Sequence, residues 1–168
     1  MSRARIAVAV LTLSAAGLFA ILEEEEYVGE AMIPTKNDVP TIGFGSTTRE
    51  DGSAVQLGDK TTPIKALRRT MQYIKSDEKD FKATLAGVEL YPEEFDLYLN
   101  WRYQYGAGRW RSSSILRELK AGNYTAACNA LLLYKYSGGF DCSTPGNRVC
   151  SGVWTRQLKR HAACMALQ

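Results

Sequence analysis

The chain has a single histidine, His161, and no glycine-rich nucleotide loop of either the GxxxxGK[ST] or the GxGxxG form. A histidine ligand set and a Ser–His–Asp triad are therefore nearly excluded, because both need imidazoles placed around one reacting centre. His161 itself lies between Arg160 and Ala162, with Lys159 close by, which is the setting of a solvated helix face. No cofactor and no metal ion are expected. Charge of one sign is also scarce: 21 Lys and Arg stand against 18 Asp and Glu, a net +3 with pI near 8.7. The basic residues are dispersed, so the chain carries no nucleic-acid signature, and the mild excess favours at most an anionic polymer such as cell wall. Internal repeats and long linkers are missing too. At 168 residues this leaves room for one well-buried domain and little more.

What is present begins at the N-terminus. Arg3 and Arg5 precede Ile6 to Leu22, an uncharged stretch followed at once by four glutamates. Its length is at the short limit of about 17 residues for crossing a bilayer core, and Ala, Ser, Thr and Gly weaken its transfer energy. Three readings fit: a cleaved signal peptide with Ser14-Ala15-Ala16 as the small-residue site, a buried core helix, and an uncleaved anchor. The anchor is favoured. The arginines would then stay cytoplasmic and the rest of the chain would cross the inner membrane. On this reading residues 1–22 are a signal-anchor segment and 23–168 the functional domain.

Chemistry concentrates between Glu23 and Gly45. The acidic run is followed by Pro34 and Pro40, which bracket the turn formers Lys36-Asn37-Asp38, and then by Thr41-Ile42-Gly43-Phe44-Gly45. Val39, Thr41, Ile42 and Phe44 suit a short strand, and the glycines admit a backbone or ligand close to it. The stretch predicts a helix end carrying Glu26 and a β-hairpin that returns Thr35 and Thr41 towards its carboxylate. Such a carboxylic acid protonates a leaving oxygen while the hydroxyls hold a water. Apolar and aromatic enclosure would keep Glu26 protonated near neutral pH, and Glu23, Glu24 and Glu25 would push the same way.

The spacing of Glu26, eight residues, Thr35, five residues, then Thr41 inside TIGFG resembles that of tailed-phage lysozymes (endolysins). In that family the middle residue is Asp or Cys, and a Gly follows the Glu; here Thr35 and Tyr27 occupy those positions. The stretch FDLYLNWRYQYGAGRWRSSSIL resembles a second family signature, with Gln104, Trp110 and Ser113-Ser114 at positions where Asn, Phe and Ser-Thr are usual. The resemblance covers about residues 23 to 165. It implies an α+β, lysozyme-like, mainly helical domain with a small antiparallel hairpin lobe behind an N-terminal apolar anchor helix. It implies cleavage of the β-1,4 bond between N-acetylmuramic acid and N-acetylglucosamine in peptidoglycan, for host lysis, with Glu26 as general acid, Thr41 positioning water and Thr35 assisting. Gln104, Gly106, Trp110 and Ser113 would bind substrate, Gln104 and the Gly106 backbone facing an N-acetyl group. The weak anchor resembles those of signal-anchor-release endolysins, which wait in the inner membrane through a segment such as residues 6–22 and are later freed into the periplasm. Release would let roughly Gly17 to Glu26 refold as the first helix of the domain.

With no carboxylate at position 35, the second group of a two-carboxylate hydrolase is missing. Thr35 and Thr41 would orient water without it, or Asp38 would swing in from the hairpin tip. Two rival functions follow from the same deficit: a lytic transglycosylase with a lone Glu acid/base, which yields 1,6-anhydro products, and a non-catalytic peptidoglycan-binding module. The expected state is a monomer.

Beyond the hairpin, Asp51-Gly52 predicts a tight turn. Thr61-Thr62-Pro63 opens a long amphipathic helix with Ile64, Leu67, Met71, Ile74 and Phe81 on its apolar face, ending near Gly87. Helices are predicted from Pro92 to Tyr105, from Ser112 to Leu119, from Tyr124 to Lys135 and from Val153 to Met165. Of the aromatics Tyr98, Trp101, Tyr103, Tyr105 and Trp110, most are expected in the core, with one or two free to stack on sugar rings. All four cysteines lie in the last quarter, and a body facing the periplasm favours two disulfides. Three pairings are possible. Cys142–Cys150 would pin the turn-rich loop between them, leaving Cys128–Cys164 to tie the penultimate helix to the last. Without any CxxC pair, zinc is disfavoured.

Overall fold

The computed structural model describes residues 4–34 and 38–168. In chain order the elements are β1 (Ile6–Ala7), α1 (Ala15–Glu25), β2 (Val28–Met32), β3 (Thr41–Gly43), α2 (Pro63–Thr84), β4 (Glu89–Leu90), α3 (Pro92–Arg111), α4 (Ser114–Lys120), α5 (Tyr124–Ala130), β5 (Tyr136–Ser137), β6 (Phe140–Asp141) and α6 (Ser151–Met165). The chain forms two compact units. A hairpin unit comprises Leu13–Asp80, and a helical unit joins the residues up to Thr12 with Phe81–Gln168. Helix α2 begins in the first and ends in the second. The architecture is the expected one, mostly helical with small antiparallel sheets, each of two strands.

The N-terminal apolar stretch departs from expectation. It is not one helix: β1 pairs with β4, a 3₁₀ turn follows at Val8–Val10, and α1 starts only after Ser14. Ser14 is the reason for the break. Its extended backbone carries a hydroxyl that accepts from the Gly17 N–H at 3.0 Å, capping α1 where an apolar anchor would have continued. Among the described residues no helix is long and apolar enough to cross a membrane. The boundary expected after residue 22 falls inside α1.

The first described residues belong to the helical unit. The Val8 N–H donates to the Val88 carbonyl at 3.0 Å, and Val8 and Leu11 are buried. Arg5 makes a two-pronged pair with Glu94, Nε to Oε2 at 2.9 Å and Nη2 to Oε1 at 2.7 Å. Its guanidinium also lies over the Tyr91 and Tyr124 rings, 4.5 and 3.7 Å from their centroids. Glu94 is fully buried. It also accepts from the Tyr91 N–H at 2.9 Å and from Gln168 Nε2 at 2.9 Å, so it caps α3 and holds both chain termini.

Helix α3 starts at Pro92, as predicted, and breaks at Gly106, whose φ of 83° and ψ of 159° are not helical. A last turn then carries Trp110 inward. Phe81, Phe95, Tyr98, Trp101 and Trp110 are fully buried and mutually packed, with Phe81–Trp110 centroids 4.9 Å apart and Phe81–Phe95 5.3 Å apart. Trp101 stacks on Tyr105 at 4.6 Å. Two disulfides close this unit, Cys128–Cys164 and Cys142–Cys150, and both are the favoured pairings. The helix predicted from Tyr124 to Lys135 is shorter than expected. Helix α5 stops at Ala130, and Gly138-Gly139 forms the turn of the β5–β6 hairpin. Ile64 and Met71 of α2, expected on its apolar face, are exposed, whereas Ile74 and Phe81 are buried.

In the hairpin unit β2 and β3 pair with Val28 opposite Gly43 and Met32 opposite Thr41. Ala31, Ile42 and Val55 form a small core beneath them. Gly43 is required there. A Cβ at that position would meet the Ala66 Cβ of α2 at 2.8 Å, so its absence lets the strand lie directly on the helix. The 49–59 loop is pinned by Arg49, which donates to both Asp59 oxygens at 2.7 and 2.8 Å and, with the Gln56 N–H, holds that carboxyl down at about 2.

Candidate active site

Helix α1 ends at Glu25, and Glu26 is the residue that turns the chain out of it. Glu26 has φ 46°, the one positive φ among the described non-glycine residues, and its side chain is exposed. The enclosure expected for Glu26 is absent. Glu25 is half-buried instead, and its carboxylate is set against Gly45: a Cβ built on Gly45 would lie 2.9 Å from Glu25 Oε2. Gly45 has φ 76°, so the backbone conformation and the close carboxylate both call for glycine. After Glu26 the chain enters β2, where the Tyr27 ring packs 5.6 Å from that of Phe44 and its hydroxyl donates to the Thr61 carbonyl at 2.8 Å. Those contacts fix the chain immediately after Glu26.

Thr41 opens β3, opposite Met32, and its hydroxyl donates to the Met32 carbonyl at 3.4 Å. Thr35 lies outside the described residues. Asp38 is exposed, and its Oδ1 accepts from the Val39 N–H at 2.9 Å, the local bond of a turn residue. The structure thus gathers one half-buried carboxylate, a glycine-floored turn and the strand that begins at Thr41 into a single unit.

The residues expected to bind substrate all belong to the helical unit. Two of them are corrected by burial. Trp110 is fully buried, and its Nε1 donates to Thr84 Oγ1 at 2.8 Å, so its ring is core and offers no face to a sugar. Ser113 is buried, and its hydroxyl accepts from the Leu116 N–H at 3.0 Å as the N-cap of α4, which occupies it structurally. Gln104 remains half-buried, its Oε1 accepting from Arg160 Nη1 at 2.5 Å, which orients the amide. Arg160 is held in turn by Asn100 at 2.7 Å. Gly106 is half-buried, and apart from its own neighbouring chain no atom lies within 4 Å of where its Cβ would be, so its backbone is approachable. Among the described residues no group of His, Cys, Asp and Glu could hold a metal ion.

A family model described as phage lysozyme matches residues 23–160. The chain belongs to the phage lysozyme family. It is 29% identical to an endolysin of Salmonella phage P22 over 77% of its own length and 87% of that protein. It is 28% identical to a SAR-endolysin of Escherichia phage 933W, with 96% of this chain and 94% of that one covered. Its fold is similar to a crystal structure of the active form of the P1 phage endolysin Lyz, with TM-score 0.70, 19% identity and coverage of 98% and 97%. Family membership makes this lysozyme relative a peptidoglycan-lytic protein. The motif running from the acidic cluster to TIGFG lies inside the matched region, as do Gln104 and Gly106.

Proposed function

We propose that the protein is an endolysin that hydrolyses the β-1,4 bond between N-acetylmuramic acid and N-acetylglucosamine. One observation carries this reading: a phage lysozyme chain closes α1 on a half-buried carboxylate laid against the glycine turn that follows Thr41. The acid is a glutamate at the end of α1. It protonates the glycosidic oxygen as the bond to the muramic-acid C1 breaks. A water held by Thr41, with Thr35 assisting, adds to C1 and gives up its second proton to solvent. Gln104 and the Gly106 backbone contact an N-acetyl group. Residues 6–22 serve first as a signal-anchor in the host inner membrane, with Arg3 and Arg5 on the cytoplasmic side, and the molecule is then released to the periplasm as a monomer. Similarity to a SAR-endolysin over 96% of the chain supports that order of events.

Mass spectrometry of peptidoglycan digested by the purified protein tests the reaction. Muropeptides with free reducing ends on muramic acid are expected. Products ending in 1,6-anhydromuramic acid would replace water with the sugar's own 6-hydroxyl and make the protein a transglycosylase. Intact polymer from a folded, disulfide-bonded sample would leave a binding module.

A further inference from the structure

We infer that Glu25, rather than Glu26, is the general acid. The assignment rests on the hydrolase reading above and names the residue that serves it. A catalytic acid has to be held by a rigid element, sit where water is partly excluded, and face a surface that a substrate can reach. Glu25 meets these conditions. It is the final residue of α1 and is half-buried. Its Oε2 fills the space beside Gly45 that a side chain would otherwise take, 2.9 Å from the place of the missing Cβ. Gly45 is itself exposed, so the carboxylate lies beside open backbone in the run that starts at Thr41.

Glu26 has a different task. Its left-handed backbone directs the chain from α1 into β2, and Tyr27 is anchored immediately afterwards through Phe44 and the Thr61 carbonyl. An L-residue in that conformation is strained by roughly 1–2 kcal/mol, a penalty that glycine escapes. The side chain of Glu26 is exposed, so nothing around it excludes water from its carboxyl as the setting of an acid requires. The residue after the acid is therefore a turn residue, and the chain from acid to Thr41 is one residue longer than the Glu26 spacing implies.

The test compares full-length Glu25→Gln, Glu26→Gln and Glu26→Gly with the parent protein on purified peptidoglycan. Release of reducing ends and melting curves are read for each. Glu25→Gln should lose at least about a hundredfold in rate, the lower bound for removing a general acid, while melting like the parent. Glu26→Gly should keep activity within a few-fold and melt no lower than the parent. Glu26→Gln should also stay active. An inactive Glu26→Gly together with an active Glu25→Gln would overturn the assignment and leave the hydrolase standing. Should both Gln variants be inactive, Glu26→Gly decides, since it removes the carboxylate while suiting the backbone: activity supports Glu25, and inactivity overturns it. Parent-level cleavage by both Gln variants would overturn Glu25 as the acid and leave the hydrolase standing, whereas a folded parent protein that releases no reducing ends would overturn the hydrolase reading itself.

Discussion

The two units of this molecule are built on opposite economies. In the helical unit the buried residues are large: Phe81, Phe95, Tyr98, Trp101 and Trp110 sit together, and two disulfides close the C-terminal part. In the hairpin unit they are small or aliphatic, such as Ala31, Ile42, Val55 and Ala66, and no fully buried aromatic occurs there among the described residues. Yet Glu25 and Thr41 both belong to the hairpin unit. The difference separates two jobs. Large apolar area and covalent ties stabilise one unit, while the other uses glycines at 43 and 45 to bring backbone, helix and carboxylate within touching distance. Substitutions in the first unit should therefore be read in stability and those in the second in activity.

That division can be broken at several points. The largest effect is expected for Trp110→Ala, which empties the centre of the aromatic cluster and takes a donor from the Thr84 hydroxyl, leaving that hydroxyl its bond to the Phe81 carbonyl. Chemical denaturation should show a loss of about 5 kcal/mol, the upper end for a buried aromatic. A smaller loss would mean that the cluster collapses around the gap. Next comes the double variant Cys128→Ser with Cys164→Ser. Opening a loop with a separation of 36 residues should remove about 4 kcal/mol, while reducing-end release at a temperature where the variant is folded stays near the parent's. A fall in folded-state activity would show that the tie also shapes the site.

Arg5→Gln comes third. It takes the charge partner from the fully buried Glu94 but leaves the bonds from Tyr91 and Gln168, so a loss of about 2–3 kcal/mol is expected in denaturant titration. The smallest effect is acid sensitivity. Hydrogen bonds from Arg49 and Lys135 hold Asp59 and Asp141 at about 2, below the ordinary aspartate value of 3.8. Folded carboxyls with lowered pKa stabilise above the unfolded value and cease to do so as pH falls through the folded one. Melting temperature should thus decline between about pH 4 and pH 2, and Asp59→Asn should flatten part of that decline.

Much of the architecture could be read from residues. Pro63 and Pro92 announce their helices because a ring at the first helical position needs no N–H partner, and both helices begin there. The turn-rich segment between Cys142 and Cys150 implied a local bridge, which left Cys128 for Cys164. Three features were hidden, each for a physical reason. Trp110 looks like a sugar platform in sequence, and only the non-helical backbone at Gly106, which redirects the last turn of α3, takes it inside. Ser113 falls in a signature stretch, but its hydroxyl is engaged as a cap. Spacing along the chain cannot tell a hairpin from one that is a residue longer, so four consecutive glutamates gave no means of choosing among them. The missing glycine after Glu26 was the available hint. The left-handed backbone that such a glycine would supply occurs at Glu26 itself, one position earlier.

Arg5 and its strand have a consequence for the life history of the molecule. Residues 6–12 complete a sheet and cover part of a core, and Arg5 answers a buried carboxylate. A stretch so placed cannot at the same moment lie among lipid tails. If the segment is first held in a membrane, as proposed, bilayer and fold would bid for one piece of chain, and its partition between them would be set by how well each solvates it. An uncharged, weakly apolar segment gains little from lipid, whereas an arginine clasped by Glu94 and two tyrosine rings gains much from the fold. Under the proposed anchoring, the N-terminus would be a tether whose grip is loosened from the inside, by the attraction of the place it leaves empty.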